Sequence, residues 1–145
     1  MSPQDALARR CANALLARDR AAQSLGIVIE ESRAGFARLA MTIGDAMIMG
    51  HGIAHGGVLF TFADTAFGYA CNSRNVCYVA LDVTMSFIAP ARLGDRLVAV
   101  AEERSMRGRT GVYDITVRQT TGEVVAVFRG TCYRIPGSVI EPDDA

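Results

Sequence analysis

The sequence predicts an α+β domain in which a curved antiparallel sheet wraps a long central helix. Three observations predict it. One apolar run, Val58 to Cys71, is too long for an ordinary strand; alternating stretches flank it, most clearly Val79 to Phe87; and turn residues separate those stretches at hairpin spacing. A helix apolar on nearly every side needs cover all round, and the concave face of an antiparallel sheet supplies it. A chain of 145 residues has room for one such domain, spanning 1–145, with a core that needs neither disulfides nor a structural metal.

The elements follow in order. From about Asp5 to Ser24, Leu7, Cys11, Ala14, Leu15 and Ala22 recur at helical spacing between arginines, and Leu25-Gly26 closes the run, which predicts one amphipathic helix over about 5–24. Ile27 to Glu31 and Phe36 to Ile43 are extended runs around Ser32-Arg33-Ala34-Gly35, a hairpin ending in the residue a tight turn favours. Gly44, Gly50 and Gly52 fall without period between Gly44 and Ala54, so that stretch reads as an irregular connector. Gly56-Gly57 opens the apolar helix, which ends near Asn72-Ser73 and at 1.5 Å rise per residue is on the order of 25 Å long. Val79, Leu81, Val83, Met85 and Phe87 then alternate with Ala80, Asp82, Thr84 and Ser86, a long strand. Beyond Pro90 and Gly94-Asp95 come three more strands, Leu97 to Ser105, Gly111 to Gln119 and Glu123 to Arg134, the last two joined by Thr120-Thr121-Gly122. The stretch from about 136 to 145, with two prolines and a run of acids, is expected to fray.

Composition narrows the function. Half the residues are hydrophobic and 21% are charged, a globular balance with an apolar surplus that favours a subunit interface. Fifteen basic residues offset fifteen acidic ones, leaving no net field for nucleic acid. Cys11, Cys71, Cys77 and Cys132 lack CxxC spacing and no signal peptide precedes them, so free thiols in a reducing cytoplasm are expected, with no zinc or other metal. The segment from Val58 to Cys71 is interrupted by Asp64 and falls short of the roughly 20 residues a bilayer needs, so no membrane span is expected.

Asp64 is the informative position. A carboxylate inside an apolar helix must be paired, protonated or placed at the lip of a cavity, because an isolated buried charge is expensive. A hydrogen bond to a neighbouring loop or subunit is the structural alternative to catalysis. The turn His55-Gly56-Gly57 supplies a complement: paired glycines allow close approach of a ligand, and the first N–H groups of a helix have no intrahelical acceptor, so a developing oxyanion is well received there. Asp64 follows Gly57 by seven positions and Gly56 by eight, about two turns and so about 11 Å along the axis. That separation suits a dimer in which Asp64 of one chain faces the glycine turn of the other. His55 is either a residue that orients a carbonyl or a structural cap, and His51 is weaker still. No GxSxG stretch occurs, and Cys71 and Cys132 read as small core residues. Arg104, Arg107 and Arg109 surround Gly108, either as a solvated hairpin tip or as a seat for a ligand's phosphates.

RDRAAQSLGIVI, GHGIAHGGVLFTFADTAFGYACNS, FIAPARLGDRL, GVYDITV and VAVFRGTCYRI together resemble the hotdog-fold acyl-CoA thioesterases, within them the phenylacetate-degradation (PaaI-type) branch, from about Arg18 to Ile135. The resemblance implies a dimer, commonly paired again into a tetramer, whose sheets enclose two long helices. It implies that Asp64 acts as base or nucleophile and that an N–H at Gly56 polarises the thioester carbonyl. It further implies hydroxylated phenylacetyl-CoA or a related aryl-acyl-CoA as substrate, with no cofactor beyond the coenzyme A of the substrate itself. Met49 stands where the family usually has an asparagine, and Ala80 where related enzymes carry a serine. Met49, Thr65, Asn72 and Ala80 are expected to line the substrate, and Arg107 and Arg109 to hold the nucleotide end of CoA. Hotdog hydratases pair an aspartate with a histidine five positions on, whereas here Asp45 is followed at that distance by Gly50; the dehydratases use histidine and glutamate, whereas this helix carries an aspartate. A non-catalytic acyl-CoA-binding protein is the remaining alternative, with Met49 as its argument.

Overall fold

The computed structural model describes residues 1–142. Ser2 caps the first helix, α1 (Pro3–Arg18), by accepting from the Asp5 N–H at 3.1 Å. A short second helix, α2 (Arg20–Ser24), follows. The single helix expected over 5–24 is therefore two, because Asp19 leaves the helical region (φ −91°, ψ 88°) and turns its side chain onto the Ala22 N–H at 3.0 Å. A short acidic side chain that competes for backbone donors favours a cap over continuation.

Strands β1 (Val28–Arg33) and β2 (Phe36–Thr42) form the first hairpin, with Gly35 at φ +73° in the turn. The connector holds a 3-10 turn at Asp45–Met47 and a tight loop in which Met49 N donates to Ile53 O and Gly52 N to Met49 O, both at 2.8 Å. Helix α3 (Gly56–Cys71) follows, then β3 (Tyr78–Phe87), β4 (Arg96–Arg107), β5 (Thr110–Gln119) and β6 (Val124–Arg134). They make one six-stranded sheet in the order β1-β2-β4-β5-β6-β3, antiparallel at every pairing.

The concave face of that sheet holds α3, as its apolar character predicts. Phe62, Ala63, Ala66, Phe67 and Ala70 are all but inaccessible, against buried Leu39, Leu97, Ala99, Tyr113, Ile115 and Phe128 of the strands. Gly130 permits the closest contact: a Cβ there would stand 2.7 Å from the Phe67 ring, so any side chain at position 130 would force that ring or the strand beneath it to shift. Cover is not complete, however. Thr61, Asp64, Thr65 and Gly68 remain partly exposed along one side of α3, so the helix is wrapped on less of its circumference than its composition implies.

Strand β3 is an edge. Its outer hydrogen-bonding side has no partner among the described residues, and Val79, Leu81 and Phe87 are 48%, 62% and 55% exposed. Exposed apolar side chains on an unpaired edge are the features natural monomers avoid. The stretch expected to fray from 136 is instead held as far as residue 140: Arg18 Nη2 donates to Val139 O at 2.8 Å, and Ile140 N donates to Asn75 Oδ1 at 2.8 Å. The last residues of that expected tail, 143–145, lie outside the described residues. No helix among the described residues is long and apolar enough to cross a membrane.

Candidate active site

The predicted site residues fall into three neighbouring cavities, an exposed edge position and one surface corner. Asp64 opens into a groove of about 300 Å³ between α3 and the N-terminal helices. Thr61, Thr65 and Asn72 line it from α3, with Leu15, Asp19 and Ala21 opposite. The Asp64 carboxylate has no hydrogen-bond or ion-pair partner among the described residues, yet it is not sealed from solvent. Burial, and after it the charge of Asp19, raises its pKa above the ordinary carboxylate value. Asp19 is itself fixed, accepting from the Ala22 N–H and from the Tyr69 hydroxyl at 2.9 Å. An unpaired, partly desolvated carboxylate at a groove wall is chemically able to accept a proton, and no hydrogen bond to a neighbouring loop occupies it among the described residues.

The glycine turn divides in two. Gly57 N donates to His55 Nδ1 at 2.8 Å, so His55 is the N-cap of α3. That bond occupies one of the donors the turn offered on paper. The Gly56 N–H has no acceptor among the described residues and remains the available donor. His55 and Gly57 line a groove of about 460 Å³ that shares Thr61 and Ala21 with the Asp64 groove. Gly56 lies in a different cavity, of about 480 Å³, together with Met49 and Phe87. Within one chain, then, Asp64 and the free Gly56 donor open into separate spaces.

The other expected residues are placed unevenly. Thr65 Oγ1 donates to Thr61 O at 2.6 Å and sits beside Asp64. Asn72 touches the same groove, but its amide is already engaged, donating to Gly68 O at 2.8 Å and accepting from Tyr78 N at 2.9 Å; it fastens the end of α3 to the start of β3 rather than offering a free amide to a substrate. Ala80 is exposed on the β3 edge, in register with Cys132 and just before the bulge at Leu81, and it lines none of these three cavities. Arg107 and Arg109 flank Gly108 (φ +62°) at the exposed β4–β5 tip and make no ion pair among the described residues. Arg104, by contrast, pairs with Asp114 at 2.8 Å, and Arg129 binds the same carboxylate, which holds Asp114 well below the usual range at about 2. Arg134, whose N–H donates to Arg109 O at 2.8 Å, brings a further exposed cation to that corner. Sequence reasoning missed Asp19, Thr61 and Tyr69. Thr61 was legible as the residue one turn before Asp64, whereas nothing local ties Asp19 to a position 45 residues away.

Comparison with known proteins decides what this arrangement belongs to. Residues 51–126, which contain the glycine turn, α3 and four of the six strands in whole or part, match the thioesterase superfamily. The chain belongs to the thioesterase superfamily. It is 44% identical over 128 residues to acyl-coenzyme A thioesterase PaaI of Escherichia coli (strain K12), covering 88% of this chain and 91% of that protein. The structure of the E. coli PaaI protein from the phenylacetic acid degradation operon superposes with a TM-score of 0.91 at 42% identity, over 92% of this chain and 97% of that one. A single-substitution variant of the phenylacetic acid degradation protein PaaI from Thermus thermophilus superposes with a TM-score of 0.76 at 35% identity, over 79% and 97%. This thioesterase thus has the hotdog fold of the PaaI-type enzymes, and its activity is thioester hydrolysis.

Proposed function

We propose that this thioesterase hydrolyses an aryl-acyl-CoA to the free acid and CoA, with Asp64 as general base and the Gly56 N–H polarising the thioester carbonyl. The observation that carries the reading is the unpartnered Asp64 carboxylate at its groove on the open side of α3. A water molecule attacks the carbonyl carbon while Asp64 accepts one of its protons; the carbonyl oxygen gains charge against the Gly56 N–H. Collapse of the tetrahedral adduct breaks the C–S bond and releases CoA thiolate, a leaving group stable enough to need no strong general acid. A carboxylate whose pKa is raised by burial is a better proton acceptor than an ordinary one.

Because Asp64 and Gly56 open into separate spaces, a second copy of the chain completes the site. The bare, apolar β3 edge supports that reading, since pairing two such edges about a two-fold axis would remove both exposed strands and bring the two α3 helices side by side. The unpaired Arg107 and Arg109, joined by Arg134, form a cationic corner suited to the phosphates of CoA.

Asp64→Asn tests the assignment. It should lower kcat for phenylacetyl-CoA by about 10²–10⁴-fold, the usual worth of a general base, while ester binding is kept. Parent-like turnover by the variant, followed through thiol release, would remove Asp64 from the mechanism.

A further inference from the structure

We infer that the recess between α1 and β1 binds a small organic carboxylate, at a site apart from the one where the thioester is cleaved. β1 is the far edge of the sheet, with four strands between it and β3, so joining two β3 edges leaves the recess to the walls of one chain. It holds about 430 Å³, within the ordinary range for small-molecule sites. Arg9 and Asn13, four residues apart on one face of α1, line one wall; Ile29, Glu30, Glu31 and Ser32 of β1 line the other.

Ser32 is the observation that points to a ligand. It pairs with buried Ala37, so its side chain lies on the covered face of the sheet, and it is only 9% exposed. Its hydroxyl oxygen is buried without a hydrogen-bond partner, the one side-chain nitrogen or oxygen in that condition among the described residues. A hydroxyl left unpaired in this way destabilises the fold, and alanine would fill the same place without that cost.

The polar groups left free around the hydroxyl are donors. Arg9 forms no ion pair, and Asn13 no side-chain hydrogen bond, among the described residues. The two glutamates are already answered: Glu31 binds Arg33 at 3.2 Å and Arg38 at 2.8 Å, and Glu30 binds Arg38 at 3.3 Å and Arg96 at 3.7 Å. Asp5, one turn before Arg9, accepts from the Ala34 N–H at 3.2 Å. Arg9, Arg33, Arg38 and Arg96 thus stand against Asp5, Glu30 and Glu31, an excess of one positive charge. A free guanidinium presents paired N–H donors that match one carboxylate, whereas a polyphosphate would meet the glutamates at the same wall. Arg9 is exposed and unpaired, so its side chain is free to swing and let a carboxylate oxygen reach the Ser32 hydroxyl. Ile29 offers apolar surface to the hydrocarbon body of the acid. Thioester hydrolysis releases an acid of this class, so the ligand arises at the enzyme itself.

Calorimetric titration of the intact protein with phenylacetate, with uncharged phenylacetamide and with inorganic phosphate tests the site. Phenylacetate should bind, phenylacetamide about tenfold more weakly or worse, and phosphate should not displace the acid. Arg9→Ala, at an exposed helix position that alanine suits, should weaken the acid about tenfold and leave kcat for thioester hydrolysis unchanged. Ser32→Ala should weaken it too, while raising the melting temperature of the free protein, because the unpaired hydroxyl is gone. The inference is overturned if the parent binds no phenylacetate at millimolar concentration, or if phosphate displaces the acid as well as a carboxylate does. Superimposable isotherms for parent and Arg9→Ala would place all of the acid in the active site and overturn it equally. So would a lower melting temperature for Ser32→Ala, since the hydroxyl would then already have a partner.

Discussion

Phe62, Ala63, Ala66, Phe67 and Ala70 line the side of α3 that the sheet covers and expose almost nothing, whereas Thr61, Asp64, Thr65 and Gly68 line a side left partly open. The two sides share one helix and one sequence run, yet they serve different ends. Burial of the first side against β4, β5 and β6 fixes where the helix sits. The second side makes few tight contacts and is therefore free to carry a charge and two hydroxyls. The lesson is that a helix can be apolar in composition and still reserve a strip for chemistry, since glycine, alanine and threonine serve either purpose.

Substitutions on each side should separate stability from turnover. Phe67→Ala removes a ring that meets Tyr113 and Phe128 at centroid distances of 5.8 and 5.7 Å. It should cost about 3–5 kcal/mol in urea unfolding, typical of an emptied aromatic site, while the molecules that stay folded keep their kcat. A loss under about 1 kcal/mol would show that the sheet does not clamp this side after all.

Asp64→Asn should do the reverse. The folded pKa of Asp64 is raised, so between the ordinary carboxylate value and the raised one the folded state binds more protons than the unfolded state, and stability falls as pH rises through that window. Above it the ionised group is a standing penalty, which asparagine removes. The variant should therefore melt no lower than the parent at neutral pH, and the two should converge below the ordinary carboxylate range. A clear drop in melting temperature at neutral pH would mean the carboxylate is structural.

At the corner off both sides of α3, the double variant Arg107→Ala and Arg109→Ala should raise KM for acyl-CoA by on the order of threefold to tenfold with little change in kcat, because exposed charges each contribute modestly. An unchanged KM would leave these arginines as solvated surface. The smallest effect belongs to Asp19→Asn, which deletes the charge that, after burial, raises the Asp64 pKa. The acid limb of the pH–kcat/KM profile should move to lower pH; a shift upward or none would show that Asp19 does not act on the base.

Much of this is legible in the sequence, and the reasons are local. Periodicity marks α3 and the strands, turn glycines mark the hairpins, and the interruption of an apolar helix marks Asp64. What is not legible depends on partners far away in sequence. Asp19 breaks the first helix through its own side chain, but its place beside Asp64 is settled by Tyr69, 50 residues on. Likewise, the composition and prolines of the stretch after 136 read as loose because nothing nearby announces Asn75, which adopts φ +62° and grips Ile140 through both ends of its amide. His55 reads as ambiguous because capping and catalysis favour the same residue at the same place; the bond from Gly57 N shows the cap.

The bond from Arg18 to Val139 spans 121 positions, so one wall of the Asp64 groove is fastened to a segment synthesised after all six strands. Loop closure over such a span comes late, after the local hairpins have formed. The N-terminal helices meet β1 and α3 through earlier parts of the chain, so this last tie adds to a wall whose main supports are already in place.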